Sequence, residues 1–180
     1  MKTALLLIDI QNDYFENGKM TLVGADKASE NAKLLLEKFR LENNSIIHVQ
    51  HIATHDGASF FIPNTSGAEI HTNVTPKQGE KHIVKHAPNA FKNTDLQDYL
   101  NDNQITNLVI CGSMTHMCID ASVRAAADFG FNNIVIGDAC ATKDLSYNGE
   151  TVKAKDAQIA FLAALNGTFA EIKTTIDYLQ

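Results

Sequence analysis

The sequence predicts an α/β fold with a mostly parallel sheet covered on both faces, and three observations predict it. Short, continuous apolar runs recur along the chain, as they do in strands buried on both faces. Stretches with apolar residues at helical spacing lie between them. The two signals alternate from one end to the other, the pattern of successive strand–helix units. Length and composition agree. A chain of 180 residues, 44% apolar and 20% charged, suits one globular domain spanning 1–180 and excludes a disordered or collagen-like chain.

The elements follow in order. Ala4–Ile8 is a first apolar strand, stopped by Asp9. From Asp26, read as an N-cap, Ala28, Ala32, Leu35, Leu36 and Phe39 recur on one helical face. Ser45–Ile52 is β-branched and apolar, a second strand. Residues 53–80 carry Gly57, Pro63, Gly67, Pro76 and Gly79 and read as an irregular, functional loop. His82–Lys85 is a third strand. Thr94 with Gln97 forms a capping box for a helix carrying Leu96, Tyr99 and Leu100. Leu108–Cys111 is a fourth strand, halted by Gly112. A helix from about Cys118 to Phe129 ends on Gly130 as its C′ residue. Ile134–Ile136 is a fifth strand. Residues 152–166 form a helix with Ala154, Ala157, Phe161, Ala164 and Leu165 inward, followed by Gly167. Thr168–Ile172 is a sixth strand and Thr175–Leu179 a last short helix.

Charge and cysteine usage exclude several function classes. Fifteen basic against 21 acidic residues leave −6, and no basic run offers a footprint for nucleic acid. No stretch approaches the roughly 18–20 apolar residues of a membrane span, and the first ten residues lack a signal peptide's cleavage site. Three cysteines, at 111, 118 and 140, form no disulfide framework or zinc ribbon and fit a reducing, cytoplasmic compartment. Neither a G-x-G-x-x-G turn nor a P-loop is present, which argues against a nucleotide-binding protein.

In an open α/β sheet the ligand crevice lies outside the carboxyl ends of the strands. Asp9, Lys85, the Gly112–Cys118 segment, Asp138 and Cys140 all fall at that rim. Cys118 is the leading nucleophile candidate. At the first turn of a helix, free N–H groups and the positive dipole end favour a thiolate, and a nearby ammonium lowers the thiol pKa further. The alternative is a small buried hydrophobe, the usual state of a free cysteine. That alternative is preferred for Cys111, inside a strand. Cys140 ranks behind Cys118 because no helix start follows it directly. Asp9 alone reads equally as a loop anchor, and Lys85 as a solvated strand end. Their joint placement carries the signal. His51, His55 or Asp56, and His71 could meet in a loop-built metal site, whereas His48 and His51 point to opposite faces of a strand. His86 and His116 flank the nucleophile region as candidate pocket residues. Phe15, Phe60 and Phe61 are candidate pocket walls, with Phe60–Phe61 the preferred recognition pair; for Phe91, core packing is favoured.

The segments ALLLIDIQNDYF (4–15), VKHAPNAF (84–91), VICGSMTHMCIDASVRAAADFGF (109–131) and IVIGDACAT (134–142) resemble the isochorismatase-like cysteine hydrolases, which include nicotinamidases. The similarity spans nearly the whole chain. It implies a three-layer α/β/α fold with a six-stranded, mainly parallel sheet. It implies a catalytic triad of Asp9, Lys85 and Cys118, a cis peptide at Ser113–Met114, and an oxyanion hole from the backbone N–H groups of Met114 and Cys118. It also implies a homo-oligomer, dimer or tetramer. Two features depart from family patterns. The Asp-x-His pair of metal-binding members is missing, because Ala58 stands two places after Asp56. Members that cleave the vinyl ether of isochorismate lack the cysteine, which is present here.

The expected activity is therefore hydrolysis of a small-molecule amide through a thioester, with no cofactor. A metal-assisted, nicotinamidase-type amidase and a non-catalytic interaction protein of the same fold are the alternatives.

Overall fold

A computed structural model describes residues 2–180. Its strands are β1 (Lys2–Ile8), β2 (Ser45–His51), β3 (Lys81–Lys85), β4 (Ile105–Ser113), β5 (Asn132–Ala141), β6 (Leu145–Tyr147), β7 (Glu150–Val152) and β8 (Glu171–Lys173). The helices are α1 (Ala25–Leu41), α2 (Leu96–Asp102), α3 (Asp120–Asp128), α4 (Ala154–Leu165) and α5 (Thr175–Leu179). Six strands form one sheet in the order β3-β2-β1-β4-β5-β8, and every pairing in it is parallel.

The pleat of β1 explains the three layers. Leu5 and Leu7 face one way and join Ala32, Leu35, Leu36 and Phe39 of α1, with Tyr178 and Leu179 of α5 packed alongside. Ala4, Leu6 and Ile8 face the other way and join Leu96 and Leu100 of α2, Val123 and Ala126 of α3, and Leu165 of α4. A strand buried on both faces has no solvent side to mark with polar residues, so it reads as an unbroken apolar run. Among the described residues, no helix is long and apolar enough to cross a membrane.

Several boundaries differ from the sequence reading, each for a physical reason. Gly24, in the left-handed region (φ 76°), flanks α1, and Asp26 sits within the first turn instead of capping it. Thr94 Oγ1 accepts a hydrogen bond from Leu96 N–H (3.4 Å), but it donates its own hydrogen to Ala90 O (2.6 Å), four residues back. Gly112 does not halt β4; it lies within it at a register shift. A Cβ there would stand 1.9 Å from Ile8 O, so only glycine lets β4 run this close to β1. Asp138 and Cys140 lie inside β5, which continues past Ile136. Ala164 is exposed on α4. The β6–β7 hairpin went unread, although Asn148–Gly149 at its tip, both with positive φ, is a strong hairpin signal.

Strand order reverses between β1 and β4. The chain runs outward from β1 through β2 and β3, then crosses back to β4 on the other side. The carboxyl ends of β1 and β4 therefore diverge at a topological switch point, where such folds hold their ligands.

Candidate active site

Asp9 is the first residue past β1, and its backbone turns left-handed (φ 51°) there. A non-glycine residue costs roughly 1 kcal/mol in that region, so the surrounding structure must hold it. One hold is Asp9 N–H, which donates to Val49 O on β2 (3.0 Å). Lys85 ends β3, and in register His51 of β2 lies directly beside it. Cys118 follows β4 within a π-helical turn, Thr115–Ile119, that runs directly into α3. Met117 and Ile119 N–H groups both donate to Met114 O (3.0 and 3.2 Å), closing that turn. The Ser113–Met114 peptide is cis.

Folding brings Asp9, Lys85 and Cys118 together. Lys85 Nζ lies 2.7 Å from Asp9 Oδ2 and donates to Cys118 Sγ at 3.2 Å. It also donates to Ala87 O at 3.0 Å and lies 3.0 Å from His51 Nδ1. Asp9 and Lys85 are fully buried and Cys118 is 4% exposed. His51 joins this group, with Nδ1 3.8 Å from Asp9 Oδ2. The sequence had marked His51 only as a candidate metal ligand; the missed signal was its register with Lys85 across β2 and β3.

The electrostatics of the cluster pull in opposite directions. Burial pushes the Cys118 thiol well above the ordinary cysteine range. The neighbouring Asp9 charge adds to that, and Lys85 offsets only part of it. Burial beside a carboxylate therefore opposes the thiolate that the helix start and the ammonium favour. Burial raises the Asp9 pKa, partly offset by the Lys85 charge. Lys85 is held above the ordinary lysine value: burial opposes its charge, but Asp9 and Cys118 outweigh it. Burial and the Lys85 ammonium lower His51 to about 3, so its ring is neutral.

The D-x-Q-N-D segment has a second job. Gln11, fully buried, accepts from His51 N–H (2.8 Å) and donates to His51 O (2.9 Å) and Ala68 O (2.7 Å). Asp13 accepts from Phe61 N–H (2.6 Å) and Lys19 N–H (3.1 Å). These two side chains fasten the 53–80 loop over the strand ends.

The aromatic candidates divide. Phe61 is 1% exposed and edge-on to Tyr14, with ring centroids 4.7 Å apart. It is a core residue, because Asp13 holds its left-handed backbone inward. Phe60 is half-buried against Tyr14 and Phe61. Phe15 is also core, stacked on His71 at 3.7 Å. Tyr14, which the sequence reading does not single out, is buried, and burial together with the nearby Asp9 charge raises its pKa. His86 is exposed and its Nδ1 pairs with Ile52 O (2.8 Å). His116 Nδ1 pairs with Thr142 Oγ1 at 2.6 Å. Phe91 packs with Phe129 and Phe131 as expected of core. A cavity of about 710 Å³ opens at the other end of the sheet, by Thr3, Asn107 and Asn132, remote from this chemistry.

The proposed histidine metal set does not assemble. His71 spends Nδ1 on Asn73 N–H and its ring face on Phe15, and His55 is exposed on the loop. Among the described residues, the one cluster of possible ligands is Asp9, His51 and Cys118, with donor atoms within 4.8 Å of one another. The Lys85 ammonium stands among those donors, so they do not fit a divalent ion.

Comparison with known proteins places the chain in a family and a fold. The isochorismatase domain family matches residues 3–177. The isochorismatase family protein YddQ of Bacillus subtilis is 51% identical over 180 residues, the full length of both chains. The nicotinamidase of Escherichia coli is 25% identical, covering 97% of this chain and 96% of its own. The crystal structure of an isochorismatase-family protein from Oleispira antarctica superposes with a TM-score of 0.95 at 46% identity, covering 99% of this chain and 96% of that one.

Proposed function

The chain belongs to the isochorismatase-like family of cysteine hydrolases, and from that premise we propose that it hydrolyses a small-molecule amide with Cys118 as nucleophile. The observation that carries the reading is that Lys85 touches both Asp9 and Cys118, with the acid and the sulfur within 4.8 Å of each other, at the switch point of the sheet. The amide preference is supported by the similarity to a nicotinamidase.

In this mechanism Asp9 takes the Cys118 proton as the substrate arrives. Lys85, already donating to the sulfur, stabilises the thiolate. A raised Asp9 pKa and a raised thiol pKa suit this order, because the proton moves to a base made stronger by burial. The thiolate attacks the carbonyl carbon. Backbone N–H groups of Met114 and Cys118 stabilise the oxyanion, each worth about 3 kcal/mol. Protonated Asp9 returns its proton to the leaving nitrogen, the amine or ammonia departs, and water cleaves the thioester by the reverse route. Tyr14 and Phe60 supply the apolar wall, with His86 and His116 at its rim.

The same reading puts the protein in a reducing, cytoplasmic compartment, supported by three buried, unpaired thiols. It also makes the working form a homodimer or homotetramer.

The test is a screen of small amides read by ammonia release. The native chain is expected to release ammonia, and Cys118→Ala to lose about a thousandfold or more of that rate. Turnover that survives Cys118→Ala overturns the mechanism.

A further inference from the structure

Past Val135, β5 leaves the regular ladder. Val135 stands opposite Ile110 and Cys140 opposite Gly112, so β5 advances five residues while β4 advances two. Such a bulge frees backbone carbonyls that a buried sheet must satisfy by other means. On the α1 and α5 face, Asn31 donates to Asp138 O (2.8 Å), and Thr175 donates its N–H and its hydroxyl hydrogen to Asp138 Oδ1 (2.7 and 2.8 Å). On the α4 face, Gln158 lies one turn into the helix, and its Nε2 donates to Gly137 O (3.0 Å) and to Cys140 O (3.2 Å).

Those two donations fix which way the Gln158 amide points. Turned over, it would set its own oxygen against two carbonyl oxygens. Its Oε1 is left facing Thr115, whose hydroxyl donates to it at 2.6 Å. Thr115 is fully buried and has one hydroxyl hydrogen, and the other acceptor within reach, Ala141 O, is farther away at 3.3 Å. Thr115 directly follows Met114 and opens the π-helical turn, Thr115–Ile119, that carries Cys118. One side chain on α4 therefore joins the β5 bulge to the start of that turn. All three partners of its amide are protein groups, so it holds the turn and takes no part in the chemistry.

We propose that Gln158 is a positioning residue for the nucleophile: by tying Thr115 to the β5 bulge, it fixes the turn that carries Cys118 and keeps the sulfur where Lys85 donates to it, at 3.2 Å. The role rests on the reading of Cys118 as nucleophile and deepens it.

Its test needs no substrate. Alkylation of Cys118 by iodoacetamide is followed at mildly alkaline pH by mass spectrometry, with Cys111, buried in β4, as the reporter of general opening. Gln158→Met keeps the side-chain length and removes its hydrogen bonds. Thr115→Val keeps the shape and removes the hydroxyl. Each is expected to slow Cys118 alkylation about tenfold, because a displaced sulfur loses the Lys85 hydrogen bond that favours the thiolate. The double variant is expected to be slowed about tenfold as well, rather than about a hundredfold, since both changes break one link. Thr115→Ser retains the hydroxyl and is expected to react at the native rate. A native or faster Cys118 rate in Gln158→Met, a double variant slowed by the product of the two singles, or Cys111 alkylation that rises in Gln158→Met overturns the proposal. The native protein tests it with no substitution. By NMR, the Gln158 side-chain N–H protons are expected to exchange with solvent more slowly than those of the exposed Asn148, and equal rates overturn the proposal. Slowed Cys118 alkylation together with no ammonia release from any amide would instead overturn the amide reading alone.

Discussion

Lys85 is a fully buried lysine that keeps its charge. Isolated in such a site it would lose its proton, because burial disfavours the ion. Asp9 at 2.7 Å reverses that, and each charge justifies the other. Removing one partner leaves the other stranded, so Lys85→Met is expected to destabilise the fold by about 3–5 kcal/mol at pH 7, measured by urea unfolding. The pH dependence has a definite sign. The folded pKa lies above the ordinary value of 10.5. The lysine's contribution is therefore complete below that value and fades as pH rises through the folded one. The gap between the native protein and Lys85→Met should narrow as pH rises above 10.5. Asp9, Lys85 and Cys118 were legible in the sequence as chemistry at strand ends. His51 was visible only as a histidine, because its meaning depends on cross-strand register.

At the scale of elements, one ion network ties three pieces of the fold together away from the site. Glu80, just before β3, pairs with Arg40 of α1 through two oxygens (2.6 and 2.9 Å) and with His48 of β2 (2.8 Å), and it accepts Lys77 N–H (2.8 Å). Burial works against the Glu80 carboxylate, but Arg40, the Lys77 N–H and His48 together lower it to about 2 from 4.5. A depressed folded pKa means the stabilisation is present above pH 4.5 and is lost as pH falls toward 2. Glu80→Gln should therefore flatten the stability–pH slope in that window, read by urea midpoints at successive pH values. An unchanged slope would show that the network contributes nothing there. The three elements were each legible from apolar period, since period is a property of adjacent residues. The network was not, because Glu80 lies 40 and 32 residues from Arg40 and His48 and meets them only once β3 pairs with β2 and α1 packs on β2. Gly112 shows the same limit. The sequence marks it as a strand stop, whereas its purpose is to let β4 touch Ile8 O.

Across the whole molecule, the sheet recruits strands from both ends of the chain, with β1 at its centre and β8 at one edge. Some apolar surface is left uncovered. Met117 before α3, Phe129 after it and Ile159 on α4 are 42%, 48% and 57% exposed. Exposed large apolar side chains are stabilised when a second copy covers them. This supports the proposed oligomer, and light scattering is expected to give two or four times the 19.7 kDa chain mass. A monomer at micromolar concentration would remove the oligomer from the reading.

The sequence by itself determined which segments become strands and helices, and that an acid, an ammonium and a thiol end up on one rim. Apolar period, terminators and strand ends are local, and local chemistry sets them. Tertiary structure alone decided the strand order that puts the ammonium within 3.2 Å of both the acid and the sulfur, the entry of His51 among them, and the burial of Phe61. It also decided the direction in which the Cys118 thiol is shifted. The reason is that a pKa responds to everything packed around the group. A helix start favours the thiolate in isolation, but burial beside a carboxylate outweighs it.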